Sequence, residues 1–159
     1  DTEYPSILEL GVRDGKVPQH LMKRIAGLTY VGIDAWTDYA SELARGKHDM
    51  AYARDKMARN REQAESVTRS WPRQATMIEG LTQDVHQQIT RKFDIVWIDA
   101  DHSYESVARD IDLYHNKVKP GGIICGHDYD WPEVHRAVHE RYKDVESHAD
   151  DVWLVRTKQ

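Results

Sequence analysis

Residues 93–129 read FDIVWIDADHSYESVARDIDLYHNKVKPGGIICGHDY, and the rest of the chain is organised around them. Phe93 to Ile98 is an apolar run long enough for one buried strand and too short for a helix. It ends abruptly in Asp99, Ala100, Asp101 and His102, which places two carboxylates and an imidazole at the carboxyl end of that strand. Ser103 then supplies an N-cap, and Tyr104, Val107, Ile111 and Tyr114 recur at helical spacing. Lys119-Pro120-Gly121-Gly122 is expected to stop this helix, and Gly122 to Gly126 to form a second buried strand ending in His127 and Asp128. A strand, a helix and a strand in this order make a parallel crossover unit of right-handed sense. Both polar clusters therefore leave the sheet on one edge, the edge where open α/β sheets bind ligands.

Outward from this unit the same grammar repeats. Ser6 to Leu10 is a short apolar strand with Glu9 near its end, followed by the turn Gly11-Val12-Arg13-Asp14-Gly15. A helix follows with Pro18 in its first turn, an apolar face of Val17, Leu21, Met22 and Ile25, and Gly27 at its end. Tyr30 to Ile33 is the next strand and ends in Asp34. An acid roughly 20 residues beyond a glycine-rich turn, at the end of the second strand, is placed to bond ribose hydroxyls. The turn lacks the full G-x-G-x-x-G pattern of dinucleotide folds, and Glu9 and Asp14 bring negative charge where a pyrophosphate would lie. It suits a cofactor without phosphate that carries a positive charge. A nicotinamide oxidoreductase is disfavoured on the same ground.

Between Thr37 and Trp71, Met50, Ala53, Met57, Ala64 and Val67 fall at helical spacing and predict one long amphipathic helix over a sheet face. Gly46 and Lys47 separate it from the loop after Asp34. An alternative role for this segment is a lid, with Trp36 and Tyr39 on its hinge side. Ala75 to Ile78 is a further strand ending in Glu79-Gly80, and Thr82 is expected to cap a short helix carrying Val85 and Ile89. After the central unit, Asp130 is expected to cap a helix through Trp131, Val134, Val138 and Tyr142, with Pro132 in its first turn. Val145 to His148 and Val152 to Val155 are the last strands, and their link through Ala149-Asp150-Asp151 is short enough only for an antiparallel hairpin.

The 159 residues suffice for one domain with a core of its own, and the net charge of −5 gives no basic stripe of the kind that binds nucleic acid. The arginines between Arg54 and Arg73 read as a solvated face, as do His115, His135, His139 and His148. Cys125 is the sole cysteine and lies within a predicted strand, so it reads as a small core residue in a reducing compartment. No apolar run approaches membrane-spanning length and no signal peptide is visible, which gives the expectation of a cytoplasmic protein. The chain begins almost directly on a strand, so a preceding segment is expected to be missing from it.

With these strands, this turn and this acid, the chain resembles the class I S-adenosylmethionine-dependent methyltransferases. The resemblance covers nearly the whole chain and implies a Rossmann-like, doubly wound, seven-stranded α/β sheet of order 3-2-1-4-5-7-6 with strand 7 antiparallel. It implies that Glu9, Gly11, Val12 and Gly15 line the methionine and ribose of S-adenosylmethionine, with Asp34, Ala35 and Trp36 on the ribose side and Gly80 to Thr82, Leu81 included, by the adenine. The D-A-D-H-S-Y and G-H-D-Y stretches are similar to those of small-molecule O-methyltransferases, among them metal-dependent enzymes acting on macrolide sugars and, more remotely, on catechols and caffeoyl-coenzyme A. In those relatives an acid ends the fourth strand, a base stands three residues later, and a ligand pair ends the fifth strand. Here these positions hold Asp99, His102, and the pair His127 and Asp128.

The expected chemistry is methyl transfer to a hydroxyl of a small molecule or sugar, with His102 as general base and Asp99 shared between the cofactor's amino group and a metal. Asp99, His127 and Asp128 form the expected ligand set for a divalent ion, Mg or Mn. The imidazole shifts that preference towards Mn²⁺, Fe²⁺ or Zn²⁺. Asp101 is read as a helix-start charge. A cofactor-binding module without turnover remains the alternative, and a homo-oligomer is compatible with either.

Overall fold

The computed structural model describes residues 4–37, 49–148 and 151–158. Tyr39, Gly46 and Lys47, and Ala149 and Asp150 of the hairpin link, lie outside the described residues. The first strand, β1 (Ser6–Leu10), is buried at all five positions, as expected of a strand covered on both faces. It is an interior strand, third in a seven-stranded sheet, between β2 and β4. After it come α1 (Lys16–Met22), β2 (Thr29–Asp34), α2 (Met50–Ser70), β3 (Ala75–Glu79), α3 (Thr82–Val85) and β4 (Phe93–Ile98). The remainder is α4 (Tyr104–Tyr114), β5 (Val118–Gly126), α5 (Pro132–Arg141), β6 (Glu146–His148) and β7 (Val152–Arg156). The strand order is β3-β2-β1-β4-β5-β7-β6, the order the resemblance implies. All pairs from β3 to β5 are parallel, and β7 runs antiparallel to β5 and to β6. Consequently β1, β2, β4 and β5 deliver their C-terminal residues to one edge.

The largest core cluster joins Leu8, Leu10, Val96, Ile98 and Ile124 of the sheet to Val107, Ile111 and Tyr114 of α4 and to Val134 and Val138 of α5. The other face buries Ile7, Tyr30 and Ala75 under Met22 and Val67. The long helix α2 turns Ala53, Met57, Ala64 and Val67 inward, four of the five positions its periodicity picks out; Met50 is exposed.

Four local expectations differ. Lys119 to Gly122 lies inside β5 and does not stop a helix; α4 ends at Tyr114 and a 3-10 turn, His115–Lys117, leads into the strand. The register jumps from Phe93–Val118 to Ile95–Ile123, so Pro120 sits in a bulge where no ladder donor is required. Gly122 is needed there, because a Cβ would fall 2.7 Å from the Asp94 carbonyl oxygen. Thr82 does not cap α3; its hydroxyl donates to Asp110 instead. Helix α5 starts from Trp131 without a side-chain cap, though Pro132 does occupy its first turn. Helix α1 ends at Met22, short of Gly27, and buries Pro18 and Met22 while Val17 is 43% exposed.

Candidate functional site

The turn after β1 is built on Gly11, whose φ of 90° places it in the left-handed region. A Cβ at Gly11 would lie 2.1 Å from the Asp99 carbonyl oxygen, so glycine is what allows the first turn to touch the end of β4. Its N–H donates to Ile33 (2.8 Å) and the Asp99 N–H donates to Leu10 (2.8 Å), which ties the ends of β1, β2 and β4 together. Asp34 holds the turn from the other side: one carboxylate oxygen accepts from the Arg13 N–H and the other from the Trp36 N–H, both at 2.7 Å. Trp36 has φ 48° and is buried, with its indole N–H donating to the Arg13 carbonyl (2.7 Å). It clamps the turn against Val12, Met57 and Ala64.

These residues open onto a cavity of about 1020 Å³ at the C-terminal edge of the sheet, a size suited to a nucleoside-bearing ligand. Gly11, Asp34, Ala35, Trp36, Gly80 and Leu81 line it, as do Asp99, His102, His127 and Asp128. Glu9, Val12 and Gly15 do not: they stand behind the wall. Glu9 is 2% exposed and accepts a hydrogen bond from the Tyr30 hydroxyl. Burial pushes its carboxyl up to about 8, against the opposing effect of that bond. Gly15 has φ 75°, and a Cβ there would meet the Ala64 backbone at 2.8 Å, so it is required for the packing of α2.

In the same cavity Asp99, His102 and Asp128 converge, with one ligand atom from each within 4.8 Å of the others. The His102 Nε2 lies 3.1 Å from an Asp128 carboxylate oxygen. Asp128 adopts φ 55°, unusual for a non-glycine residue and found where surrounding structure fixes it. Burial raises the pKa of Asp99, an effect the charges of His127 and His102 partly offset. His127 is not in the three-residue group, although its Nδ1 lies 3.3 Å from Asp128. Burial works against its charge, but the bond to Asp128 and the field of Asp99 outweigh that and hold its pKa above the ordinary value. Among the described residues the group whose potential ligand atoms converge is Asp99, His102 and Asp128, while His127 of the expected set Asp99, His127 and Asp128 stands beside Asp128. The cause is the helix start: Asp101 accepts the Ser103 N–H (2.7 Å) and Ser103 caps α4, which places the His102 ring beside Asp128. Two carboxylates and an imidazole suit Mn²⁺, Fe²⁺ or Zn²⁺ better than Mg²⁺.

Asn60, Arg109, Asp110 and Trp131 also line the cavity and were not singled out in the sequence. For Asp110 a signal existed: it stands three residues after Val107 and four before Tyr114, an acid on the buried stripe of α4. Trp131 is 50% exposed and its ring meets the His102 ring edge-on at 5.3 Å.

A parallel sheet with this strand order, a reversed seventh strand and a ligand cavity over the first glycine turn is the fold of the class I S-adenosylmethionine-dependent methyltransferases. Residues 8–129 match the family model described as methyltransferase domain, and the chain belongs to that family. Among solved structures it is similar to an O-methyltransferase from Bacillus cereus in complex with S-adenosylhomocysteine, at a TM-score of 0.60 and 17% identity over 98% of this chain and 74% of that one. It is also similar to the S-adenosylhomocysteine-bound methyltransferase of Podospora anserina (TM-score 0.66, 12% identity, 97% and 72% covered). The N-methyltransferase NodS of Bradyrhizobium japonicum shares the fold too (TM-score 0.59, 13% identity, 98% and 87% covered). An uncharacterised protein of Acanthamoeba polyphaga mimivirus is 40% identical over 58 residues, which span 34% of this chain and only 26% of that protein. No helix among the described residues is long and apolar enough to cross a membrane.

Proposed function

We propose that the chain is an S-adenosylmethionine-dependent methyltransferase that methylates a hydroxyl oxygen of a small molecule or sugar. The observation that carries this reading is the meeting of Asp99, His102 and Asp128 in the cavity that the glycine turn and Asp34 also line. The cavity suits the cofactor: among the described residues its wall carries Asp34 and Asp99 beside the glycine turn, an acidic surrounding that suits a positively charged sulfonium cofactor. When bound, S-adenosylmethionine supplies a methyl group on a sulfonium, so that attack by oxygen breaks the carbon–sulfur bond and leaves a neutral thioether. Asp34 offers its remaining lone pairs to the ribose hydroxyls, and Asp99 its carboxylate to the cofactor's ammonium group.

The attacking hydroxyl must lose its proton, and His102 takes it. The contact between Nε2 and Asp128 holds the imidazole proton on Nε2, which leaves Nδ1 as the accepting nitrogen, and Asp128 then stabilises the cation that forms. As an alternative to that role of His102, Asp99, His102 and Asp128 would hold a divalent cation, whose chemistry would be to lower the pKa of the acceptor hydroxyl.

The test is calorimetric titration of S-adenosylhomocysteine, with Mn²⁺ and again with EDTA. Micromolar binding is expected, and its absence from folded protein would remove the reading. His102→Ala should bind S-adenosylhomocysteine as the parent does. Methyl transfer to a catechol or sugar acceptor should fall by about 10²-fold or more in that variant.

A further inference from the structure

Outside the cavity, two histidines that read as solvated in the sequence meet on one face of α5. His135 and His139 are both exposed and stand four residues apart, the spacing that makes side chains neighbours on a helix. Their ring centroids are 4.3 Å apart, with the planes tilted by 41°. Tyr129, in the loop before α5, packs against both rings, 5.0 Å from His135 and 5.9 Å from His139 between centroids. Its hydroxyl shares a hydrogen bond of 2.6 Å with the His139 Nε2, so that ring is held in place. The charges beside the pair are engaged with each other and with α4. Arg136 lies over the Tyr104 ring and pairs with Glu140 at 3.1 Å, and the other Glu140 oxygen accepts from the Tyr104 hydroxyl.

Imidazoles one turn apart have the geometry of a chelate. Two imidazoles that bind one ion through bonds of about 2.0–2.1 Å, at angles from square to tetrahedral, set their ring centroids roughly 4.5–5.2 Å apart. The observed pair is only slightly closer than that, and exposed rings can open by so little without disturbing the core. With the His139 Nε2–H donating to the Tyr129 oxygen, Nδ1 keeps its lone pair for an ion. Ligand imidazoles are ordinarily fixed by such a bond through the nitrogen that does not bind metal.

We propose that His135 and His139 form a second metal site, separate from Asp99, His102 and Asp128, for a cation that prefers nitrogen ligands: Cu²⁺, Ni²⁺ or Zn²⁺. Among the described residues no third imidazole, thiol or carboxylate joins the pair, so an ion held there keeps water in its remaining positions. Mg²⁺ and Mn²⁺, which favour oxygen ligands, are poorly suited to it. The ion would bridge one turn of α5, beside the loop that carries Asp128. The proposal depends neither on the cofactor nor on methyl transfer.

The experiment is calorimetric titration of Ni²⁺ into metal-stripped protein, for the parent, His135→Ala, His139→Ala and the double variant. A chelate needs both rings, so either single substitution should weaken the site by about tenfold or more, and the double variant should lose no more than the singles do. Both positions are exposed, so all three variants should fold, with circular dichroism as the check. Ni²⁺ held by Asp99, His102 and Asp128 is untouched by these changes and remains as the residual binding of the double variant. Losses that add ring by ring would mean two independent imidazoles and overturn the proposal. A titration that neither substitution changes overturns it too, as does a parent that binds no Ni²⁺.

Discussion

Glu9 offers a test in which the folded protein is its own control. The carboxyl is buried in the centre of the sheet beside Tyr30, and burial pushes it up to about 8 from an unfolded value of 4.5. The folded state therefore binds the proton more tightly than the unfolded chain does. Stability from this group is fully present below about pH 4.5 and declines as pH rises towards 8, because the unfolded chain ionises first. At 1.36 kcal/mol per unit, the loss between those limits is on the order of 4 kcal/mol, and roughly 3 kcal/mol of it has gone by pH 7. Glu9→Gln keeps an oxygen for the Tyr30 hydroxyl and removes the titration. Other groups titrate alike in both proteins, so the difference in unfolding free energy between them isolates Glu9. Urea unfolding followed by circular dichroism at half-unit steps from pH 4.5 to 8 should show the parent losing ground to the variant steadily, by roughly 3 kcal/mol at pH 7 relative to pH 4.5. A difference that stays constant across this range would refute the argument, since it would mean that Glu9 ionises alike in both states.

Gly11→Ala should lower S-adenosylhomocysteine affinity by tenfold or more and reduce the melting temperature, since the turn must open to clear the Asp99 backbone at a cost of roughly 1–3 kcal/mol. Calorimetry and thermal unfolding check both effects. Ser103→Ala removes the cap of α4 and should cost about 1 kcal/mol in urea unfolding; an unchanged midpoint would show that the cap contributes nothing. Mn²⁺ added to EDTA-treated protein should bind at one site by paramagnetic resonance. His102→Ala should weaken that site at least tenfold and His127→Ala hardly at all, whereas the opposite order would favour the ligand set expected from the sequence, Asp99, His127 and Asp128.

How much of this was legible depends on whether a feature is set by chain-local chemistry. The limits of β1 and β4 follow from apolar runs bounded by glycine and acid, and both were readable to the residue. The start of β5 was not, because Pro120 and two glycines carry the usual punctuation of a loop while a bulge accommodates them inside a strand. Asp34, Asp99 and Asp128 were placed on one sheet edge by topology alone, and all three line the cavity. Glu9 and Val12 share the motif but are buried away from the cavity, Glu9 by strand alternation and Val12 by packing on Trp36, Met57 and Ala64, neither of which the glycine pattern encodes. Asn60, Arg109 and Asp110 lie on helices, where only tertiary packing decides which part of each helix reaches the cavity.

His102 shows how one residue's place in a helix start constrains the chemistry available to the site. Its spacing from Asp99 suggested a base standing apart from the cation ligands, with His127 completing the ligand set. The turn from Asp101 to Ser103 instead brings its ring to Asp128. That single contact serves two incompatible ends. Under the proposed reading without a cation, the contact with Asp128 would orient the imidazole and His102 would take the acceptor's proton. Were Asp99, His102 and Asp128 to hold a cation, His102 would serve as a ligand and the chemistry the cation would supply is to lower the pKa of the hydroxyl. His127, whose pKa is held up beside Asp128, is then the nearest imidazole outside the ligand group. Metal dependence and the identity of the base are thus one question at this site, and the response of His102 and His127 variants to Mn²⁺ answers both halves together.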